Sequence, residues 1–338
     1  MSVVGRRRFL IAASALLAVP GIATTQAQRR LPVLGILNDL PAPTLEQIAS
    51  SAPTKRLQEL GWIEGKTLIV ERANSAGSTE RLPKLAAELV RKKVDVIWAI
   101  SPPAAVAAAR ATRPIPIVFV RVAAPLELGL GASFARPGGN VTGVASTAGF
   151  GVYLKRLELL REILPGAKRL AAIDPGTVIY ATVDGGVWKP DRDRAVSEAR
   201  KVGFDLSSHF VDEAKDLDAA FTAITASGAQ ALLVSASPLI VRERRRIIDF
   251  ANRSRLPSAF IESFFVDEGG LLSYGSDVSA TVLQSLAQVD KILRGAKPAE
   301  MPIELPLRFD LVVNQKTARM LGLTIPPTML MRADRVVE

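Results

Sequence analysis

The sequence predicts an α/β protein built as two tandem parallel-sheet units covered by helices, and three observations carry that prediction. Strand-like and helix-like segments alternate along the chain, the pattern starts afresh after about residue 145, and the apolar strand-like runs stop on short polar stretches. With 338 residues, 48% of them apolar, the chain has material for two cores of ordinary size.

Taken in order, "LPVLGILND" reads as a first strand, and Thr44 to about Leu60 as one helix stopped by Gly61. "KTLIVERAN", "VDVIWAIS" and "IPIVFVR" are further strands, separated by the helices "TERLPKLAAELVRKK" and "PPAAVAAARAT". "GGNVTGVAS" closes the first unit as a short strand. The second unit opens with the amphipathic helix "YLKRLELLREILPGAK" and runs through the strands "RLAAID", "FDLSSHFV", "AQALLVSAS" and "LPSAFIE". The helices between them are "DRDRAVSEARKVG", "DLDAAFTAITASG" and "IVRERRRIIDFANRS". A long helix, "ATVLQSLAQVDKILRG", an extended "MPIELPLRFDLVVN" and a short helix "QKTARMLG" complete the chain.

The amino terminus reads as an export signal over residues 1–27: three arginines, an apolar run from Phe9 to about Val19, Pro20-Gly21, and Thr25-Gln26-Ala27 as a small-residue cleavage site. Arg6 and Arg7 ahead of Arg8-Phe9-Leu10 fit the twin-arginine pattern, which any basic region before an apolar run imitates. The apolar run is shorter than the roughly 20 residues of a membrane-spanning helix, and without cysteine the chain has no lipid attachment site, disulfide or thiolate ligand. The expected location is the periplasm, as a free, monomeric protein.

Net charge is +10, and removal of the leader leaves 40 basic against 33 acidic residues. That surplus is spread along the chain. Its densest run, "RERRR" at 242–246, lies in a helical pattern whose Ile240, Ile247, Ile248 and Ala251 share one face, so a solvated helix face is expected and a nucleic-acid partner is not.

Open parallel sheets bind ligands beyond the carboxyl ends of their strands, which makes strand-end residues the candidates. The first unit offers Asn38-Asp39, Asn74-Ser75, Ser101, Arg121 and Ser146; the second offers Asp174, Ser235, Ser237, Glu262 and Ser263. Ser101 stands where an N-cap belongs, with Pro102 at the first helical position, and the free N–H groups of that turn suit an anion such as a carboxylate. Capping its own helix accounts for Ser101 equally well.

Catalytic and metal readings find little support. His209 is the one histidine and falls within a strand, so neither a Ser-His-acid triad nor a transition-metal site is well supplied. "GWIEGKT" is one residue short of a phosphate-binding loop and precedes its strand, while "RPGGNVTG" is a tight turn. Paired carboxylates, Asp174 with Glu262, leave an acid–base hydrolase open as an alternative. Tyr180 and Trp188, in a loop-like insertion, offer rings for stacking or for packing.

The motifs "ELGWIEG", "RLPKLAAELV", "RPGGNVTG", "GGLLSYG" and "KTARMLGLTIPP" occur in this order, and from about residue 33 to the end the chain resembles the ABC transporter substrate-binding proteins of the tryptophan/tyrosine-type group. The resemblance implies a type I periplasmic binding protein fold: two Rossmann-like lobes joined by three crossings that close on a small ligand. It also implies delivery to an inner-membrane permease powered by a separate ATPase, with no cofactor, metal or chemistry. Lobe 1 is expected over 28–145 plus about 271–300 and lobe 2 over 146–270 plus about 301–338, with Tyr274 and Gly275 at a crossing or pocket edge. Relatives that look like aromatic amino acid binders usually offer an acid near "LLVSASPL", and none stands at Ser235 to Pro238, so a ligand ammonium would need Glu262, Asp174 or Asp277. An amino acid, another small carboxylate or an amide therefore stay open as ligands, and a sensory module for a membrane receptor stays open as a role.

Overall fold

Fully apolar runs such as Val96–Ile100 and Ala231–Val234 can only be satisfied by burial on both faces, and helix-covered parallel sheets provide that. The computed structural model describes residues 30–146, 151–175, 180–181, 187–188 and 192–338; the leader expected over residues 1–27 lies outside them. The first lobe runs β1 (Val33–Asn38), α1 (Leu45–Ser50), α2 (Ala52–Glu59), β2 (Ile69–Asn74), α3 (Leu82–Arg91), β3 (Val96–Ile100), α4 (Pro102–Ala111), β4 (Ile117–Val122) and β5 (Val141–Ala145). All five strands are parallel, in the order β2-β1-β3-β4-β5.

The second lobe begins with α5 (Gly151–Ile163), β6 (Arg169–Pro175), a two-residue pair β7 (Tyr180–Ala181) and β8 (Val187–Trp188), α6 (Arg192–Lys201), β9 (Asp205–Val211) and α7 (Asp216–Ala226). It continues with β10 (Ala231–Val234), α8 (Pro238–Arg242), α9 (Arg244–Arg253), β11 (Ser258–Phe260), α10 (Phe264–Asp267) and β12 (Leu272–Ser276). After α11 (Val278–Leu293) come β13 (Phe309–Asn314), α12 (Gln315–Leu321), α13 (Pro327–Arg332) and β14 (Arg335–Val337). The sheet order is β14-β13-β12-β11-β10-β6-β9, and its β9-to-β12 portion repeats the first sheet's parallel pattern. β13 departs from the expected parallel rule by running antiparallel to β12.

Three stretches differ from the sequence reading. The helix expected over 44–60 is broken at Ser51, which caps both α1 and α2 in an extended conformation, because Pro53 in the first turn of α2 cannot continue the preceding helix. The helix expected over 240–254 breaks at Glu243 into α8 and α9. The "SYG" stretch is a strand of the second sheet, with Tyr274 opposite Leu311, and the crossing falls just after it, at Asp277.

α11 then returns to the first lobe. Its Leu286, Val289 and Ile292 join Leu34, Val96, Trp98, Val118 and Val120 in one core, and Ser285 accepts the Trp98 indole N–H at 3.0 Å. Next, Glu304 bridges to Val144 at the edge of the first sheet before β13 carries the chain back. The chain thus passes between the sheets three times, after β5, after β12 and after Glu304. The "RERRR" run is a paired solvent face, as its pattern suggests: Arg244 and Arg245 meet Glu268, Arg246 meets Asp218 and Glu243, and Ile247, Ile248 and Ala251 are buried.

β12 needs glycine at 275, because a Cβ there would overlap the carbonyl oxygen of Ile261. Gly275→Ala should lower the unfolding free energy by about 2 kcal/mol or more. Urea denaturation checks this, and an unchanged midpoint would contradict the packing described.

Candidate functional site

A parallel sheet opens a crevice where its strand order reverses, since the chains leaving neighbouring strands turn to opposite sides. In the first sheet that point lies between β1 and β3, and in the second between β6 and β10. Each holds an aspartate next to a serine. Asp39, buried just beyond β1, neighbours the Ser101 side chain at the end of β3, which favours its charged form. Asp174, near the end of β6, accepts the Ser235 hydroxyl at 2.5 Å from just beyond β10.

Burial raises the pKa of both carboxyls above the ordinary aspartate value. At Asp39 the Ser101 side chain, the residue's own backbone and the Arg121 charge oppose the shift. At Asp174 the opposing groups are Ser235, Arg156, Ser208 and Arg192.

Backbone strain gathers at the same edge of the first lobe. Ser101 has φ 126° and ψ 160°, a region tolerated mainly by glycine, and Arg121 has φ 66° where the β4–β5 register shifts between Val120 and Val122. Ser101 still caps α4, accepting the Ala104 N–H at 3.4 Å, so the capping role weighed from the sequence is present. Both conformations cost about 1–3 kcal/mol each and persist because the surrounding sheet fixes them.

The two walls touch. Arg121, at the end of β4, donates from Nη2 to Glu262 Oε1 at 2.8 Å, and Glu262 follows β11, the strand of the second sheet that corresponds to β4. Glu262 is 9% exposed, and its other carboxylate oxygen is buried with no hydrogen-bond partner among the described residues. A buried acceptor left open at the meeting of two polar walls suits a donor from a small molecule.

The structure brings Ser101, Arg121, Asp174, Ser235 and Glu262 to these two strand-end edges, together with Asp39. Asn38 and Asn74 end β1 and β2 and organise the adjoining loop, with Asn38 Oδ1 accepting the Leu40 N–H and Asn74 Nδ2 donating to the Leu40 carbonyl. Ser146 follows β5 and ties its N–H to the Val122 carbonyl. Ser237 caps α8 through the Ile240 N–H. Tyr274 lies within β12, just ahead of the crossing at Asp277, where it stacks on Phe309 and packs against the second-lobe core. Asp277 is engaged in capping α11 through the Ala280 N–H. The Tyr180 and Trp188 side chains lie outside the described residues.

Sequence reasoning missed Arg156 and Tyr153 on α5. Arg156 is buried, donates to the Val234 carbonyl at 3.0 Å, and has its pKa pushed down to about 10 by desolvation. Tyr153 is held above the ordinary phenol value by burial and the Asp174 charge. The available signal was a basic residue on the same helical face as Val152, Leu159, Leu160 and Ile163. His209 sits 3.3 Å from Ser207 on its own strand, and Asp174 accepts the Ser235 hydroxyl from the neighbouring strand end.

Because the folded pKa of Asp174 is raised, the folded state holds its proton more tightly than the unfolded one, and stability falls as pH rises from the ordinary value of 3.8 through the raised value. Asp174→Asn removes that slope. The stability of the variant relative to the natural protein should therefore improve between pH 4 and pH 7 in urea titrations, and a difference independent of pH would contradict the assignment.

The family model described as "ABC transporter substrate binding protein" matches residues 36–337. A tyrosine-binding protein of Clostridioides difficile strain R20291 is 26% identical over 290 residues, 86% of this chain and 81% of that one. The structure of an ABC domain in complex with L-Trp from Streptococcus pneumoniae superposes with TM-score 0.79 at 24% identity, covering 91% of this chain and all of the other. A ligand-free, open structure of a Clostridium difficile substrate-binding protein with adhesive properties matches with TM-score 0.66 at 23% identity, covering 91% of this chain and 99% of that one.

Proposed function

The chain belongs to the ABC transporter substrate-binding protein family, and on that premise we propose that it captures an amino-acid-like carboxylate between its lobes and hands it to a membrane permease. The single observation that carries the ligand reading is the convergence of two aspartate–serine pairs and the Arg121–Glu262 contact on the facing strand ends. These groups supply both signs of charge and several hydrogen bonds in a desolvated place, as a small zwitterion requires. The likeness to a tyrosine-binding protein and to a fold solved with L-Trp supports an aromatic amino acid as the first ligand to try.

Closure, not chemistry, is the proposed action. Binding energy is gained when ligand atoms touch both walls at once, and that differential contact favours the closed lobes. Lobe 1 is taken as residues 32–146 with 277–304, and lobe 2 as 151–276 with 309–338, which follows the sheet membership of β12, α11 and β13. The reading places the mature chain in the periplasm after removal of residues 1–27, as a monomer that works without a cofactor and relies on a separate ATPase subunit of the permease.

Calorimetric titration of the chain from residue 28 onward against the common amino acids and small carboxylates tests the proposal. Saturable binding of at least one amino acid, recovered unchanged, is expected; turnover of esters or glycosides without such binding would support the hydrolase alternative. Ser101→Ala should weaken the best ligand by about 1 kcal/mol or more, the loss expected for a hydrogen bond near a charged group. Unaltered affinity would remove Ser101 from the site.

A further inference from the structure

We propose that the edge of the first lobe at which its strands begin is an adsorption surface for a bilayer rich in anionic lipid. The proposal goes beyond the ligand reading and shares with it only the placement of the chain outside the inner membrane.

Parallel strands gather their entry loops at one edge of the sheet, opposite the strand ends that lead to Asp39, Ser101 and Arg121. In the first lobe four of these loops supply cations: Lys66 ahead of β2, Lys92 and Lys93 ahead of β3, Arg113 ahead of β4 and Arg136 ahead of β5. The same stretches, 60–68, 92–95, 112–116 and 132–140, hold two acids, and both are engaged. Arg72 clamps Glu64 with contacts of 2.6 and 2.7 Å, and Asp95 accepts the Val33 N–H at 2.7 Å. Strand order then sets the cations in a row about 20 Å long, because neighbouring strands lie about 4.8 Å apart.

The helix dipole does not account for this row. It explains Arg91 and Arg110, which stand in the last turns of α3 and α4. Lys66, Lys93, Arg113 and Arg136 lie outside helices, are exposed, and have no ion pair among the described residues. Nor does the fold impose it. The loops entering β6, β9, β10, β11 and β12 obey the same parallel rule, yet they carry only Lys168 and Arg255 against Glu268. Loops leaving the first sheet lean the other way, with Asp39, Glu80 and Glu127 against Arg81. An anionic surface therefore orients this lobe, entry edge inward and strand-end site outward.

Two further observations favour a bilayer over a soluble polyanion. Ile63 and Ile69, 38% and 41% exposed, flank Lys66 and give the edge apolar side chains that can enter the headgroup region. β1 also begins at this edge, five residues after Ala27. An export leader set in the membrane would therefore keep the start of β1 on a tether of at most about 20 Å.

Vesicle co-sedimentation of the chain from residue 28 onward tests the proposal. Vesicles of equal parts phosphatidylglycerol and phosphatidylcholine should carry the protein down at low salt, phosphatidylcholine alone should not, and about 0.5 M salt should release it. Lys93→Glu with Arg113→Glu and Arg136→Glu should cut the partition at least about tenfold, since each basic residue at such a surface contributes roughly fivefold. The matched second-lobe variant, Lys168→Glu with Arg253→Glu and Arg255→Glu, changes net charge equally and should bind within about twofold of the natural chain. Should the first variant fail to fold, Lys93→Gln with Arg113→Gln and Arg136→Gln removes the charges without reversing them and should still weaken sedimentation. Amino-acid affinity should be the same in every folded variant, which separates this surface from the strand-end site. Equal losses in the two triple variants would reduce the effect to net charge and overturn the proposal. So would equal sedimentation with both kinds of vesicle, or retention on heparin without any vesicle binding.

Discussion

The facing of two strand-order reversals is the constraint on which the rest of this structure depends. Each parallel sheet must reverse order somewhere, and each reversal leaves unpaired polar groups beyond the strand ends that only solvent, a ligand or another wall can satisfy. Here the chain passes between the sheets three times, and the Arg121–Glu262 contact records that the two edges meet. The placement of Asp39 by Ser101 and of Asp174 by Ser235 follows from the same geometry, because those residues end neighbouring strands across the reversals.

Rigidity and adaptability are divided between different parts of the molecule. α11 is fixed to the first lobe by a continuous apolar seam and by indole hydrogen bonds, Trp98 to Ser285 and Trp62 to Asp290. The second lobe carries separate cores on its two sheet faces. By contrast, the walls meet through a charged contact at residues that are strained or incompletely hydrogen-bonded. A protein that must grip and release is expected to keep its packing energy inside the lobes and leave the interface to reversible polar contacts.

The architecture was legible because two periodicities coexist in the sequence without ambiguity: all-apolar strands such as "VIWAI" and amphipathic helices such as "LPKLAAELVR" alternate, and the alternation repeats. Ser101, Arg121, Asp174, Ser235 and Glu262 were recoverable because strand ends can be read from where apolar runs stop. That Tyr274 belongs to a strand just ahead of the crossing was not legible, because Ser273 and Gly275 interrupt the apolar pattern and its partner β13 lies far along the chain. The partnership of Asp39 with Ser101 depends on strand order, which local pattern does not contain. Arg156 was passed over although it stands out on an apolar helical face, since its worth comes from Val234 and Asp174, distant in the chain.

A crystal structure of the mature chain with its tightest amino acid is the most direct test of the account. The account predicts the ligand between the two strand-order reversals, in contact with residues of both walls at once. A ligand bound elsewhere, for instance in the surface cleft lined by Arg72, Asn74 and Lys92, would contradict it.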